Sequence, residues 1–461
     1  MVRDLPRAVA ARVSSWGPEA GDAVLYAAAA LFAGLTMEFT SQPPYRTWGE
    51  LALGPYLLAA VLSALLGRYR SRDHQPELPT AVPGPGDAVA RRARGVRIGL
   101  FVFVLFGATL LPLSVEVALR SAGTPGAHAQ PEVRVIEQAG QRVAHGHSPY
   151  QAMVRDHRLV SATPGEPAYE SFFPYLPLMI VFGLPSSTHH PIRLTDARIF
   201  FTAVTMLVVA IALAIGRGPG ERKLRTAQVL AVLPTAALPL ATGGDDMPIV
   251  AFLLLGMVLA QRRRPGWSGI VFGVVSAMKF TAWPLAALAL FAARDREGRR
   301  APVRMALGML LIVGPVVAPF VVRNADAFFQ NVVLFPLGLA GVSSPAASAL
   351  PGHLLVSWIP ALHRPLPIAV ALVGGFVLVR RLVRRPPVTT SEVVSLAGWA
   401  MLVAILFAPA TRIGYLLYPV NFFVWAHLLE GADAEDLVAV GEEELDDLVV
   451  APREEEPVLV A

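Results

Sequence analysis

The chain has 461 residues, of which 54% are hydrophobic and only 16% are charged. Soluble globular proteins carry about 25% charged residues, so this composition indicates a polytopic membrane protein. The net charge of +5 comes from arginines in short runs between apolar segments, which favours a topology signal over a nucleic-acid-binding face. The absence of cysteine excludes disulfides, thiolate nucleophiles and zinc–thiolate sites.

The apolar segments predict an all-α bundle that crosses the bilayer many times. A membrane-spanning helix needs about 20 predominantly apolar residues. Segments of suitable length and composition occur at 23–39, 50–66, 98–119, 197–216, 225–242, 247–261, 303–322, 366–383, 391–409 and 413–429. Together with two shorter pieces, 172–186 and 267–292, they predict about 10 to 13 membrane segments.

Basic clusters predict the orientation in the membrane, because cytoplasmic loops are enriched in Lys and Arg. The clusters lie at 3–12, 68–97, 217–225, 262–264, 294–304 and 380–385. With these on the inside, both termini are cytoplasmic and the polar stretch 131–177 lies on the outer face. The first residues lack the features of a cleaved signal peptide, so the first apolar segment is expected to stay as an anchor. The Arg-rich, Lys-poor composition is typical of a GC-rich bacterial genome, which points to a bacterial plasma membrane.

Composition also predicts the domain organisation. The predicted units are a cytoplasmic N-terminus 1–22, a transmembrane hairpin 23–66, a basic Pro/Gly-rich cytoplasmic linker 67–97, a membrane core 98–429 with an outer loop 120–171, and an acidic cytoplasmic tail 430–461. The tail is rich in acidic residues and has no sustained helical face, so it is predicted to be mostly disordered.

Segment 267–292 does not fit a simple count of crossings. Basic runs flank it on both sides, and Lys279 stands near its centre. If both flanks are inside, the segment enters the membrane and returns as two half-helices of about 12 residues, each roughly 18 Å long. The alternative is one long tilted crossing.

The polar stretch 131–177 begins with a predicted amphipathic helix on the outer surface. Val135, Ile136, Ala139 and Val143 recur at helical spacing, and Glu132 stands in the first turn. Partial desolvation raises a carboxylate pKa and makes such a group a usable general base. The alternative is that Glu132 only stabilises the helix start through the helix dipole.

A series of motifs along the chain resembles the polyprenyl-phosphate-sugar-dependent glycosyltransferases of the GT-C superfamily, in particular glycosyltransferase family 87. The motif residues are Glu132, Ala139, Gly146 and Tyr150; Phe173, Tyr175, Pro177 and Leu178; Gly244, Asp245 and Asp246; Lys279 and Pro284; and Pro409, Arg412, Tyr415 and Tyr418. The chain departs from the family pattern in having Glu132 for an Asp, Gly-Asp-Asp for Gly-Gln, and Leu176 for a proline.

The resemblance implies a GT-C-type helical bundle with an outer cavity and an inverting hexosyl- or pentosyltransferase. Mannose or arabinofuranose would pass from a polyprenyl-phosphate donor to an extracytoplasmic glycan or glycolipid acceptor, in cell envelope biosynthesis. Glu132 would be the base, with Glu137 in reserve, and Lys279 and Arg412 would stabilise the departing phosphate. The residues expected to bind substrate are Glu137, Tyr150, Tyr175, Asp245, Asp246, Lys279, Arg412 and Tyr415. The implied partners are donor, acceptor and membrane lipids, without nucleic acid.

Several of these residues have a second interpretation. An ionisable group inside a membrane segment is costly, so Lys279 binds either a lipid phosphate or the carboxylates of Asp245 or Asp246. One of these two aspartates is expected to cap the next helix, and the other to bind sugar hydroxyls or a metal. No His-x-x-x-His or EF-hand spacing occurs, so no metal site or cofactor is predicted, although a divalent ion bridging Asp245 to another carboxylate is conceivable.

Two further alternatives stay open from the sequence. Arg412 and Tyr415 are residue types that also anchor helices at the membrane interface. Glu116 and Arg120 are four residues apart and are predicted to pair on one helix, away from the site. The rival function is a non-enzymatic membrane protein, either a lipid or solute transporter or a catalytically inactive relative.

Overall fold

The computed structural model describes residues 17–73, 85–123, 127–151, 154–155, 158–159, 167–337, 339–342 and 346–430. Most of the predicted cytoplasmic N-terminus, part of the 67–97 linker and nearly all of the acidic tail lie outside these residues. The described chain is almost entirely helical, and eight of its helical segments are long and apolar enough to cross a membrane. The prediction of an all-α polytopic membrane protein is therefore confirmed.

The helices follow one another along the chain with short connections. They are α1 Pro18–Phe39, α2 Pro43–Asp73, α3 Pro85–Val104, α4 Leu111–Ala122, α5 Pro131–Ala144, α6 Ile192–Thr195, α7 Ala197–Ile215, α8 Gly220–Ala231, α9 Pro234–Thr242, α10 Asp246–Gln261, α11 Pro265–Ser276, α12 Trp283–Glu297, α13 Ala301–Arg323, α14 Ala325–Phe329, α15 Pro351–Trp358, α16 Pro365–Arg384, α17 Thr390–Phe407 and α18 417–430.

Irregular helical turns fill several connections. A π-helical turn, Leu105–Leu110, joins α3 to α4, and a second, Gln330–Leu334, follows α14. The 3-10 helices are Ala168–Ser171, Pro177–Phe182, Leu184–Ser187, Phe280–Ala282, Pro360–Leu362 and Ile413–Leu416. Two short antiparallel strands, β1 Val154–Arg155 and β2 Arg158–Leu159, lie in the loop after α5.

Two expected crossings are shorter than the roughly 20 residues that a membrane-spanning helix needs. The segment 247–261 forms α10, which has 16 residues, and the segment 413–429 begins with a 3-10 turn before α18. Both helices start beside polar residues, Asp245 and Arg412, that lie at the same end of the bundle. They are shortened because the polar chain at their starts is part of a buried cluster.

The N-terminal hairpin α1–α2 packs closely on the rest of the bundle. Trp48 is fully buried and its Nε1 donates to the carbonyl of Ala108 at 2.9 Å, while the Tyr56 hydroxyl donates to the carbonyl of Val232. At the other end of the hairpin, Gln228 donates to Asp22 at 3.1 Å. The hairpin therefore shares a buried core with α3, α4, α8 and α9.

Segment 267–292 is broken into α11 and α12, with Lys279 between them. Gly269 lies directly against the backbone of Met305, and Gly273 against that of Met309, so α11 and α13 run parallel. Only residues 298–300 separate α12 from the start of α13. Therefore α12 returns to the end of the bundle at which α11 begins, and the two helices form the hairpin that the flanking charges predict.

The described part of the polar stretch 131–177 docks on the tip of this hairpin. Helix α5 buries its apolar face against the protein, and Gly140 touches the backbone at Gly183, a contact that leaves no space for a Cβ atom. The chain then returns through 3-10 turns, with the backbone N–H of Leu176 bonded to the carbonyl of Met278 and that of Leu178 to the carbonyl of Ala277, both at 2.9 Å. Segment 172–186 therefore supports the site and does not form a regular spanning helix.

Candidate functional site

One polar cluster at this end of the bundle gathers seven of the residues singled out from the sequence. They are Glu132, Tyr175, Asp245, Asp246, Lys279, Arg412 and Tyr415. Helix α5, the 3-10 return, the loop before α10, the tip of the α11–α12 hairpin and the segment after α17 each contribute at least one of them. Residues distant in the chain therefore form a single site, which we call the carboxylate–cation cluster.

Lys279 stands at the helix break and pairs with two aspartates. Its Nζ lies 2.8 Å from Asp245 Oδ2 and 2.7 Å from Asp246 Oδ1. The ring centroids of Tyr175 and Tyr415 lie 5.3 Å and 6.0 Å from the same nitrogen. An ammonium removed from water needs anionic partners. In this structure Lys279 therefore forms an ion pair with Asp245 and Asp246.

The two aspartates are held by side chains and do not cap α10. Asp245 occupies the N-cap position of α10, but neither carboxylate makes a side-chain capping bond there. Asp246 also accepts from the Tyr418 hydroxyl, which lies 2.6 Å from Thr281 Oγ1. The expectation that one aspartate caps the helix is wrong, because Lys279 and Tyr418 occupy the carboxylates instead.

Glu132 pairs with Arg412 across the cluster. Glu132 is in the first turn of α5, and its Oε1 accepts from Arg412 Nη1. The Glu132 side chain is 19% exposed and that of Arg412 34% exposed, so water and small polar groups still reach the pair. Glu132 Oε2 is buried and accepts no hydrogen bond from the described residues. That oxygen is a free acceptor in the cluster.

The charges of the cluster do not balance. Two cations, Lys279 and Arg412, face three carboxylates, which leaves one net negative charge when all are ionised. Burial raises the pKa of Asp245 to about 6, against the opposing effect of Lys279, and the nearby carboxylates Asp246 and Glu132 raise it further. Protonation of Asp245 therefore neutralises the cluster in mildly acidic conditions.

Tyr150 supports the site without placing its hydroxyl there. The hydroxyl donates to the backbone carbonyl of Tyr175 at 2.8 Å. The ring packs among Phe173, Phe320 and Phe328, with centroids 5.0–5.8 Å away. Tyr150 thus fixes the position of Tyr175, and the predicted contact between its hydroxyl and substrate has no support from this geometry.

Glu137 lies in a different buried ion cluster, which corrects its assignment as a substrate-binding residue and reserve base. Arg120 donates to its two carboxylate oxygens at 2.9 and 2.7 Å, and the backbone N–H of Ala197 donates at 3.1 Å. Arg120 also pairs with Asp196 at 2.7 Å. The predicted partner of Arg120, Glu116, is 3.1 Å from His128 Nδ1. These groups join α4, α5 and α7 and are structural.

Two residues near the cluster were missed by the sequence analysis. Gln130 Nε2 donates to the Tyr45 hydroxyl at 2.7 Å and lies 3.1 Å from Thr242 Oγ1. Tyr45 interacts electrostatically with both Glu132 and Arg412. This chain of bonds connects the N-terminal hairpin to the start of α5 and the end of α9. A single tyrosine in the first turn of α2 gives no sequence signal for such a role.

The fold and the site together define a polytopic helical membrane protein with charged residues gathered at one end of the bundle. A family model places the chain more precisely, because glycosyltransferase family 87 matches residues 173–426, more than half of the chain. The chain therefore belongs to glycosyltransferase family 87 and is a membrane glycosyltransferase. No curated protein and no solved structure matches it.

The family match has a direct bearing on the site. Asp245, Asp246, Lys279 and Arg412 lie within the matched residues, whereas Glu132, Tyr150 and Tyr45 precede them. Family membership favours a glycosyltransferase over a transporter. The role of Glu132 depends on geometry and chemistry alone.

Proposed function

We propose that the protein transfers mannose or arabinofuranose from a polyprenyl-phosphate donor to a glycan or glycolipid acceptor on the extracytoplasmic face. The observation that carries this proposal is the pairing of Glu132 with Arg412 beside Lys279, which puts an acid–base group and two cations into one cluster. A hydroxyl nucleophile needs the acid–base group to remove its proton, and a phosphate leaving group needs the cations to stabilise its negative charge.

The reaction is a single displacement with inversion. Glu132 takes the proton of the acceptor hydroxyl as the oxygen bonds to the anomeric carbon of the sugar. The bond from that carbon to the phosphate oxygen breaks, and its electron pair leaves with polyprenyl phosphate. Glu132 Oε2 has no partner among the described residues, and Oε1 is released when Arg412 turns to the donor phosphate, so a carboxylate oxygen is free to accept the proton.

Arg412 links donor binding to the availability of the base. A donor phosphate competes for the same guanidinium, which suits phosphate as well as carboxylate. When Arg412 turns to the phosphate, Glu132 loses its ion-pair partner, so both carboxylate oxygens become available to the acceptor hydroxyl once the donor is bound.

Lys279 and the two aspartates bind the donor on the side away from Glu132. The ammonium supplies a point charge for the phosphate, while Asp245 and Asp246 accept hydrogen bonds from sugar hydroxyls. Burial raises the pKa values of Tyr175 and Tyr415, so both phenols stay neutral and donate hydrogen bonds. A proton on Asp245 removes the excess negative charge that would otherwise repel an anionic donor.

The donor class is tested with purified protein in detergent and a common acceptor panel. Radiolabelled polyprenyl-phosphate mannose and polyprenyl-phosphate arabinofuranose are compared with the corresponding nucleotide sugars. Transfer from one of the lipid-linked donors alone is the expected result. Transfer from a nucleotide sugar with none from either lipid-linked donor would overturn the proposal while leaving the family assignment intact.

A further inference from the structure

The end of the bundle opposite the carboxylate–cation cluster contains a pocket of about 400 Å³. Its lining residues are Pro18, Arg97, Glu221, Arg222, Arg225, Phe423, Val424 and His427. The 23 residues of Gly220–Thr242 run from this pocket to the first site, about 35 Å at the rise of a helix. The pocket is therefore a separate feature, which we call the arginine pocket.

Buried ion pairs fix the floor of the arginine pocket. Arg97 Nε lies 2.6 Å from Asp22, and the same guanidinium pairs with Glu221. Arg225 lies 2.9 Å from Asp22 and donates to Gln228 at 2.8 Å. Helices α1, α3 and α8 meet at these contacts, so the pocket has a preformed wall.

Of the three arginines that line the pocket, Arg222 makes the fewest bonds to the described residues. Its Nη1 donates to the carbonyl of His427 at 2.7 Å. A guanidinium has five N–H donors, so this bond leaves donors for a ligand. Three arginines and one glutamate line the pocket, and Asp22 in its floor pairs with two of the arginines, so the group carries a net charge of +1 with His427 neutral. Such a pocket favours an anion.

The remaining wall is apolar. Pro18, Phe423 and Val424 are half-buried and lie beside the arginines. A small soluble anion makes no contact with this apolar surface. An amphiphile with a phosphate headgroup and a hydrocarbon chain contacts both the arginines and the apolar wall. The arginine runs at 262–264, 299–304 and 380–385 flank helix ends on the same side of the bundle. By the positive-inside rule this side faces the cytoplasmic leaflet, which is rich in anionic lipids.

We propose that the arginine pocket binds the headgroup phosphate of an anionic phospholipid, with Arg222 as the principal ligand. The lipid chain lies against Phe423 and Val424. Because the pocket is formed by α1, α3, α8 and α18, a bound lipid bridges the N-terminal hairpin and the last helix. The expected consequence is that the lipid stabilises the folded protein.

Lipid titration of the full chain tests this proposal. Phosphatidylglycerol is added to the purified protein in detergent, and retained lipid is counted by native mass spectrometry while thermal unfolding is followed separately. We expect Arg222→Gln to weaken binding about fivefold, the effect of one cation near an anionic headgroup. Arg262→Gln is the matched control, because Arg262 is exposed at the same end of the bundle and does not line the pocket. Arg222→Lys is expected to retain most of the binding.

The outcomes separate the possible ligands. Equal loss in Arg222→Gln and Arg262→Gln would mean that surface charge alone attracts lipid, and would overturn the site. Binding of zwitterionic phosphatidylcholine with the same affinity would overturn the role of charge. Inorganic phosphate that stabilises the protein as well as phosphatidylglycerol does would exclude a function for the apolar wall, and with it the lipid. Arg222→Gln protein that keeps wild-type lipid binding contradicts the proposal directly.

Discussion

Arg412 and Lys279 each hold a carboxylate in the carboxylate–cation cluster, so the cations expected to bind phosphate are already partnered. A phosphate that enters must compete with carboxylates for these cations. The exchange is inexpensive because each cation keeps an anionic partner throughout. The same arrangement prevents the uncompensated burial of charge, which a membrane protein tolerates poorly.

Removing Lys279 should destabilise the protein. Lys279→Met leaves Asp245 and Asp246 buried without their counter-ion, and we expect a loss of about 3–5 kcal/mol in the free energy of unfolding. Thermal unfolding in detergent measures the change. The triple variant Lys279→Met, Asp245→Asn, Asp246→Asn should regain much of the stability, because no uncompensated charge remains. A triple variant as unstable as the single one would show that Lys279 contributes through packing.

Asp245 should make stability depend on pH. The ordinary pKa of an aspartate is 3.8, and burial raises that of Asp245 to about 6. Between these values the folded protein binds a proton that the unfolded chain has released, so this contribution to stability is full below about pH 4 and is lost as pH rises to 6. Thermal unfolding of the wild type and Asp245→Asn at pH 4.5 and 7 tests this. Relative to Asp245→Asn, the wild type should lose stability over that interval, and an identical pH dependence would contradict the assignment.

The chemistry of a residue type identified single residues of the site, but the sequence did not identify the partners of these residues. Lys279 was recognisable because an ionisable group in an apolar membrane segment is costly and usually marks a functional site. Glu132 and Glu137 were harder to separate, although five residues at about 100° each turn Glu137 away from Glu132 on α5. Tyr45 was missed because its position depends on the packing of α1–α2.

Among the elements, the α11–α12 hairpin brings Lys279 to the cluster. Both helices are too short to span the bilayer individually, as α11 has 12 residues, or about 18 Å. Charges on both flanks predicted the hairpin, because they forced the two ends to one side. The 3-10 turn at Ile413–Leu416 was not predictable in the same way, because hydropathy does not report where a polar cluster interrupts a helix.

Cysteine labelling tests the hairpin directly, since the chain has no native cysteine. Single cysteines at Arg264 and Arg299 should react with a membrane-impermeant reagent from the same side of the membrane. A cysteine at His189, in the exposed connection before α7, should react from the opposite side and serves as the control. Labelling of positions 264 and 299 from opposite sides would mean that the segment crosses.

At the scale of the whole molecule, the N-terminal hairpin packs as part of the helical bundle. The family match begins at residue 173, well after the hairpin. The composition of the chain predicts that the hairpin is a unit separate from the 98–429 core. The structure instead buries Tyr26, Trp48 and Tyr56 against other helices. Composition located the boundaries of the apolar segments, but it carries no information about which helix faces meet.

Deletion of residues 1–84 should therefore destabilise the remaining chain. The truncation exposes the faces of α3, α8 and α9 that pack on the hairpin, and it removes Tyr45 from the site. We expect the truncated protein to unfold at a lower temperature than the full chain, or to be recovered only as aggregate. Removal of residues 431–461 is the control and should leave the unfolding temperature unchanged. A stable, active 85–461 fragment would contradict this view of the hairpin.

The account depends most on Glu132 as the base, since this residue lies outside the family match. The decisive measurement is sugar transfer from radiolabelled polyprenyl-phosphate mannose or arabinofuranose by purified wild type, Glu132→Gln and Glu50→Gln, the last being an exposed carboxylate paired with Arg46. Loss of a general base lowers the rate by about 10²- to 10⁴-fold. We predict that loss for Glu132→Gln with unchanged folding, and wild-type transfer for Glu50→Gln. Transfer at the wild-type rate by Glu132→Gln would contradict the account.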